Sequence, residues 1–115
     1  MPPIAYAIIA SGSNVSSEFD FRQYRLDAIF VPAVNSGDLA VQANYDTTSA
    51  NFLRMFDVRG QAGSGDLRFP VVTGSRMIPF AGFQTPAYAR FEMVMPTNSF
   101  QTDNRTLTLI TRPRR

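Results

Sequence analysis

Nine carboxylates and four tyrosines are the only side chains of this 115-residue sequence able to trade protons near neutrality, because it has no His, Cys or Lys. Those absences exclude Ser-His-Asp and Cys-His nucleophiles, His or Cys zinc sites, disulfides, Schiff-base lysines and the lysine of a phosphate-binding loop. Carboxylate chemistry is what remains. A glycosidase sets two carboxylates across a cleft at about 5 to 9.5 Å, and the sequence leaves open Glu18 or Asp20 against Asp57 or Glu92. Asp46, Asp57, Asp66 and Asp103 fall at strand ends or in turns, where Asp ordinarily accepts bonds from backbone amides. The structural reading is preferred, and no catalytic residue is assigned.

Binding chemistry is equally sparse. Asn44-Tyr45-Asp46-Thr47 and Gly63-Ser64-Gly65-Asp66 offer hard oxygens, but neither has the ligand spacing of a calcium loop. The glycines at 60, 63 and 65 lack the spacing and βαβ context of a dinucleotide fingerprint. No metal and no cofactor is expected. Sugar-binding sandwiches stack ligands on exposed Trp or Tyr; this chain has no Trp and ten Phe, so its aromatics suit a core. Tyr45 beside Asp46 is the one candidate sugar contact.

All 11 basic residues are Arg, giving a formal charge of +2. Arg22, Arg25, Arg54, Arg59, Arg68, Arg76 and Arg90 are scattered and mostly near an acid, whereas Arg105, Arg112, Arg114 and Arg115 supply the surplus. Four residues at one end make too small an electrostatic footprint for nucleic acid, so none is expected as a partner. The longest apolar stretch near the start, Ile4 to Ala10, is too short for a bilayer span and lacks the basic flank of a signal peptide. No membrane partner is expected.

The elements that would position these groups are strands. Glu is scarce, only Glu18 and Glu92, and Lys is absent, which argues against exposed helices. Short apolar runs separated by Gly and Pro predict strands at Ile4 to Ala10, Val15 to Phe21, Tyr24 to Val31, Leu39 to Tyr45, Phe52 to Val58, Leu67 to Thr73, Arg76 to Phe80, Tyr88 to Met95 and Arg105 to Thr111. Period-two alternation points Phe91, Met93 and Met95 inward with Arg90 and Glu92 outward, and Leu39, Val41, Ala43 and Tyr45 inward with Gln42 and Asn44 outward. Phe52-Leu-Arg-Met-Phe56 is apolar on both sides. Pro32, Pro70, Pro79, Pro86 and Pro96 should mark strand ends, bulges or edges. The expected fold is all-β: a single-domain antiparallel β-sandwich over residues 1–115, jelly-roll-like, of eight or nine short strands. Short extended arms are expected at 1–3 and 112–115.

Longer sequence features carry a family likeness. Ala10-Ser-Gly-Ser-Asn-Val-Ser-Ser17, Phe21-Arg-Gln-Tyr-Arg-Leu-Asp-Ala-Ile-Phe-Val-Pro-Ala33, Leu39-x-x-Gln42-x-x-x-Asp46, Phe52-x-x-x-x-Asp57-x-x-Gly60 and Asp103-Asn-Arg-Thr-Leu-Thr-Leu-Ile110 together resemble small β-sandwich structural proteins of tailed bacteriophages, some of which decorate or cement capsids. Val34 stands where an aromatic usually follows the Pro-Ala pair, and Asp46-Thr-Thr-Ser49 replaces an Asp-Gly turn. The resemblance implies a non-enzymatic virion protein that is made in the host cytoplasm and binds the major capsid protein on the capsid exterior. It also implies a symmetric oligomer, a trimer weighed slightly above a dimer. Pro2, Pro3, Ile4, Arg112, Arg114 and Arg115 are the residues expected to reach neighbouring subunits. The alternative is a carbohydrate- or receptor-binding module of a phage fibre or tail, using Tyr45 and Asp46; a small glycan-processing enzyme is the third reading.

Overall fold

Tyr88–Val94 alternates half-buried and buried residues along its length, and the buried ones, Ala89, Phe91 and Met93, fall on the side that period two requires. It is one of nine strands in a computed structural model that describes residues 4–45, 51–55, 65–72, 74–80 and 85–114. In chain order these are β1 (Ile4–Ile9), β2 (Phe19–Asp20), β3 (Tyr24–Val31), β4 (Gly37–Asn44), β5 (Leu53–Arg54), β6 (Arg68–Val72), β7 (Arg76–Pro79), β8 (Tyr88–Val94) and β9 (Arg105–Pro113). Each lies within or against one of the nine apolar runs. Pro2, Pro3, Asp46, Asp57 and Arg115, and the last three residues of the run expected to end at Val58, lie outside the described residues.

The strands form two antiparallel sheets. Sheet A has the order β1-β9-β3-β7, and sheet B the order β2-β8-β4-β5, with β6 also paired to β4. Strand β8 takes one edge of β4; β6 pairs with Gly37 to Ala40 and β5 with Gln42 and Ala43 on the other. Setting β5 aside, the orders β1-β9-β3-β7 and β2-β8-β4-β6 are those of an eight-stranded jelly roll, in which two Greek keys wrap one sheet over the other. The fold is therefore an all-β, antiparallel, jelly-roll-like sandwich.

Both sheets bury their facing sides in one core. Ala7, Ile9, Leu26, Ile29, Val31, Ile78, Leu107 and Leu109 come from sheet A, and Leu39, Val41, Val71, Ala89, Phe91 and Met93 from sheet B. Phe21 and Phe80, in the connections, belong to the same core. Prolines behave as ladder breakers must. Pro32 follows β3 and Pro96 follows β8, while Pro70 pairs opposite Asp38 beside a register shift in the edge strand β6.

Two expectations are corrected. Tyr45 does not continue the inward set of β4: the strand ends at Asn44, and Tyr45 is 81% exposed. The C-terminal arm is not free from residue 112, since Arg112 pairs with Arg25 and Pro113 with Tyr24 inside β9. The chain stays attached one residue further, where the Arg114 amide donates to the Gln23 carbonyl at 3.0 Å. Because β3 offers a long free edge there, the backbone gains ladder bonds that an open arm would forgo.

Gly37 starts β4 where it crosses the end of β8. A Cβ at this position would lie 2.9 Å from the Val94 carbonyl oxygen and 3.0 Å from the Met95 sulfur, and a backbone oxygen cannot swing away. Gly37→Ala should destabilise the fold by about 1–3 kcal/mol. Gly74→Ala, where a Cβ meets nothing within 4 Å, should stay within about 0.5 kcal/mol of the parent. Urea unfolding of the two variants side by side makes the comparison.

Candidate functional site

The outward side of sheet B is a ladder of charges. Register places Arg90 of β8, Gln42 of β4 and Arg54 of β5 in one cross-strand row, and Glu92, Ala40 and Arg68 in the next. Glu92 accepts from Arg54 Nε at 2.9 Å and Nη2 at 2.8 Å, a two-pronged contact, and from Gln42 Nε2 at 2.8 Å. Arg54 Nη1 reaches Asp66 at 3.1 Å, and Arg68 Nη2 meets the same carboxylate at 3.4 Å. At the other end Arg90 donates to the Gln42 side-chain oxygen, and its guanidinium sits 4.6 Å from the centre of the Phe52 ring. The short strands β5 and β6 are thus held to β4 and β8 by side chains as well as by their few ladder bonds.

The contact between Arg54 and Glu92 shifts both partners toward their charged forms. The Arg54 guanidinium beside Glu92 holds that carboxyl below the usual carboxylate range, against the opposing effect of burial. Glu92 in turn raises Arg54. Such a carboxylate is an anchored anion and a poor general acid. Asp20 is similarly held below its usual range by Arg22, which donates from Nη2 at 2.8 Å. Asp66, read from the sequence as a turn residue bonding backbone amides, instead receives two guanidinium groups.

The outward side of sheet A is of the opposite kind. Two rows run across all four strands: Tyr6, Thr108, Phe30 and Met77, then Ile4, Ile110, Ala28 and Pro79. Neither row contains a charge. Ile8, opposite Thr106, extends the surface along β1. Tyr6 is 60% exposed, Met77 55%, Ile4 53% and Ile8 47%. At one rim Arg112 Nε pairs with Asp27 at 3.0 Å.

Sequence-predicted contacts are divided by this geometry. Ile4 lies on the apolar face and Arg112 at its rim. Arg114 is turned back onto the body, donating from Nε to the Phe21 carbonyl at 2.8 Å and from Nη2 to the Thr85 carbonyl at 2.9 Å. These bonds fasten the C-terminal segment to the body. Tyr45 stands alone at the end of β4 as far as the described residues extend. Among the described residues, no three acidic side chains gather where a cation could sit.

A second polar cluster joins two connections. Gln101, 1% exposed, accepts from the Asn35 amide at 2.9 Å and from Arg105 Nε at 3.3 Å. Asn35 Oδ1 accepts from the Thr102 amide at 3.0 Å and Arg105 Nη2 at 3.0 Å. The segment between β3 and β4 is thereby tied to the one between β8 and β9. Nothing in the sequence pattern marks Gln101, because its burial depends on two loops that are far apart in the chain.

No family model matches the chain, and no curated protein or solved structure is similar enough to count as a match.

Glu92→Gln should lower stability at pH 7 by about 1 kcal/mol, the value of a charge-assisted bond discounted for the partial exposure of Arg54. A carboxyl depressed in the folded state stabilises above its unfolded value of about 4.3, and that contribution is lost as pH falls through the folded value. Parent and variant should therefore differ at pH 7 and converge on acidification below about pH 4. Urea titrations at a series of pH values test this.

Proposed function

We propose that this chain is a non-enzymatic virion structural protein, a capsid decoration or cement protein that binds the major capsid protein and stabilises a phage head. The observation that carries the reading is the pair of broad outer faces on a double sheet, one with two uncharged rows and one an arginine-bearing ladder. Such a body works through area, and repetition on a lattice multiplies weak single contacts into strong attachment. The ladder pairs Arg54 and Arg68 with Glu92 and Asp66 and adds Arg90, which donates to Gln42, and its surplus positive charge suits acidic side chains on a shell. The jelly roll is a fold used by viral shell domains and by lectins alike, so it is compatible with the reading and does not select it.

Quantitative mass spectrometry of purified particles tests the proposal. Hundreds of copies per particle, and loss of shell stability when the protein is stripped and its recovery on add-back, are the expected results. A handful of copies per particle would move the protein to a tail or fibre. Glycan-array binding abolished by Tyr45→Ala would replace the structural reading with a sugar-binding one.

A further inference from the structure

We infer that the outward face of sheet A is the contact surface of a two-fold symmetric dimer, each copy laying this face on that of the other. The physical case begins with composition. The rows Tyr6–Thr108–Phe30–Met77 and Ile4–Ile110–Ala28–Pro79 are free of charge across four strands, so along them no ion loses water when the faces meet, and the Arg112–Asp27 pair stays at the rim. Homodimer interfaces are apolar in this way, more so than contacts between proteins that also live apart.

Area decides whether such a contact can hold. From the exposures of Tyr6, Met77, Ile4 and Ile8, with smaller shares from the two strands between, each face offers roughly 700 Å². Two copies then remove roughly 1,400 Å² from water, within the ~1,200–2,000 Å² of stable interfaces.

Edges point the same way. The outer edge of β1 is occupied at its end, where the Ile8 carbonyl accepts from the Ser17 amide at 3.1 Å and Ile9 bridges to Ser16. The opposite edge strand, β7, has four residues and ends in Pro79. Strand addition is hindered on both sides, which leaves the flat of the sheet. One patch that meets a copy of itself closes under a two-fold axis, whereas a three-fold ring needs two different patches. A dimer therefore takes precedence over the trimer that the family resemblance suggests. The inference rests on the face itself and is independent of what the assembled protein binds.

Analytical ultracentrifugation of the purified chain, at concentrations up to roughly 100 μM, should give twice the 12.8 kDa of one chain. Tyr6→Lys combined with Met77→Lys places charge at two exposed positions and should weaken the dimer at least roughly tenfold, with the circular dichroism of the parent retained. Leu53→Lys, which alters an equally apolar residue, 73% exposed, on the other sheet, should leave the dimer intact. A monomer or a trimer in the parent overturns the inference, as does a dimer that survives the double lysine variant in folded form. Should that variant unfold, the cysteine-free background supplies the decision: Thr108→Cys, near the middle of the face, should form an interchain disulfide and Leu53→Cys should not. The reverse pattern places the contact elsewhere.

Discussion

Burial of one side of every long strand in a shared core determines what the other side can be. The core of this protein is held together without disulfide bonds, since there is no cysteine, and it is filled instead by phenylalanine and branched aliphatics from both sheets. Phe21, Phe80 and Phe91 are completely buried, as are Ile9, Ile29, Leu107 and Leu109. Removing a side chain of that size from a packed interior typically costs several kcal/mol, comparable to much of a small domain's net stability. Inward positions are consequently fixed. Outward positions are free to differ, and the two sheets use that freedom in opposite ways.

On sheet B the outward side serves the sheet itself. Strands β5 and β6 are short, two and five residues, and share one edge of β4; so few ladder bonds hold a strand weakly. The Arg54–Glu92 fork, the bridge to Asp66 and the stack of Arg90 on Phe52 add lateral contacts where backbone pairing is thin. Arginine suits this task better than lysine. Its planar fork meets a carboxylate with two parallel bonds and lies flat on a ring. A chain whose cations are all arginine has an advantage wherever one guanidinium must touch several partners, as Arg54 does.

Much of this architecture is legible in the sequence because it depends on local patterns. The alternation of Tyr88 to Met95 and the placement of Pro32, Pro70 and Pro96 follow from backbone geometry, and most strands fall where those signals put them, whereas the run Val15 to Phe21 yields only Phe19–Asp20. What is not legible depends on register between distant segments. Nothing local tells that Arg54 will lie beside Glu92, 38 residues away, or that Gln101 will be sealed between two connections. The C-terminal arginines illustrate the same limit. A Thr-Arg-Pro-Arg-Arg run reads as a short extended arm, but β3 extends far enough to pair with Thr111 to Pro113, and Arg114 finds backbone carbonyls to bind. The apolar face left a partial trace: Ile4 to Ile9 is apolar in both phases of its alternation, the pattern of a strand with neither side given to water. One side is the core, and the other is Ile4, Tyr6 and Ile8.

That second side has to be explained by something other than folding. Exposed apolar residues scattered singly are ordinary, but rows aligned across four hydrogen-bonded strands are contiguous, and contiguity raises the cost of leaving them in water. The sheet is also poorly suited to growth at its margins, with β7 short and proline-ended and part of β1 covered by Ser16 and Ser17. Guarded edges and an open flat together permit association that stops at a defined size, since two faces that meet leave no third equivalent face exposed. Unguarded edges would permit strand-by-strand addition without limit. Under the proposed role in many copies on a lattice, that distinction matters physically: each unit would have to bind its neighbours or its support without polymerising beforehand. The charged ladder on sheet B and the uncharged rows on sheet A lie on opposite sides of the sandwich, so that in the proposed assembly contact between copies and contact with a support need not compete for the same residues.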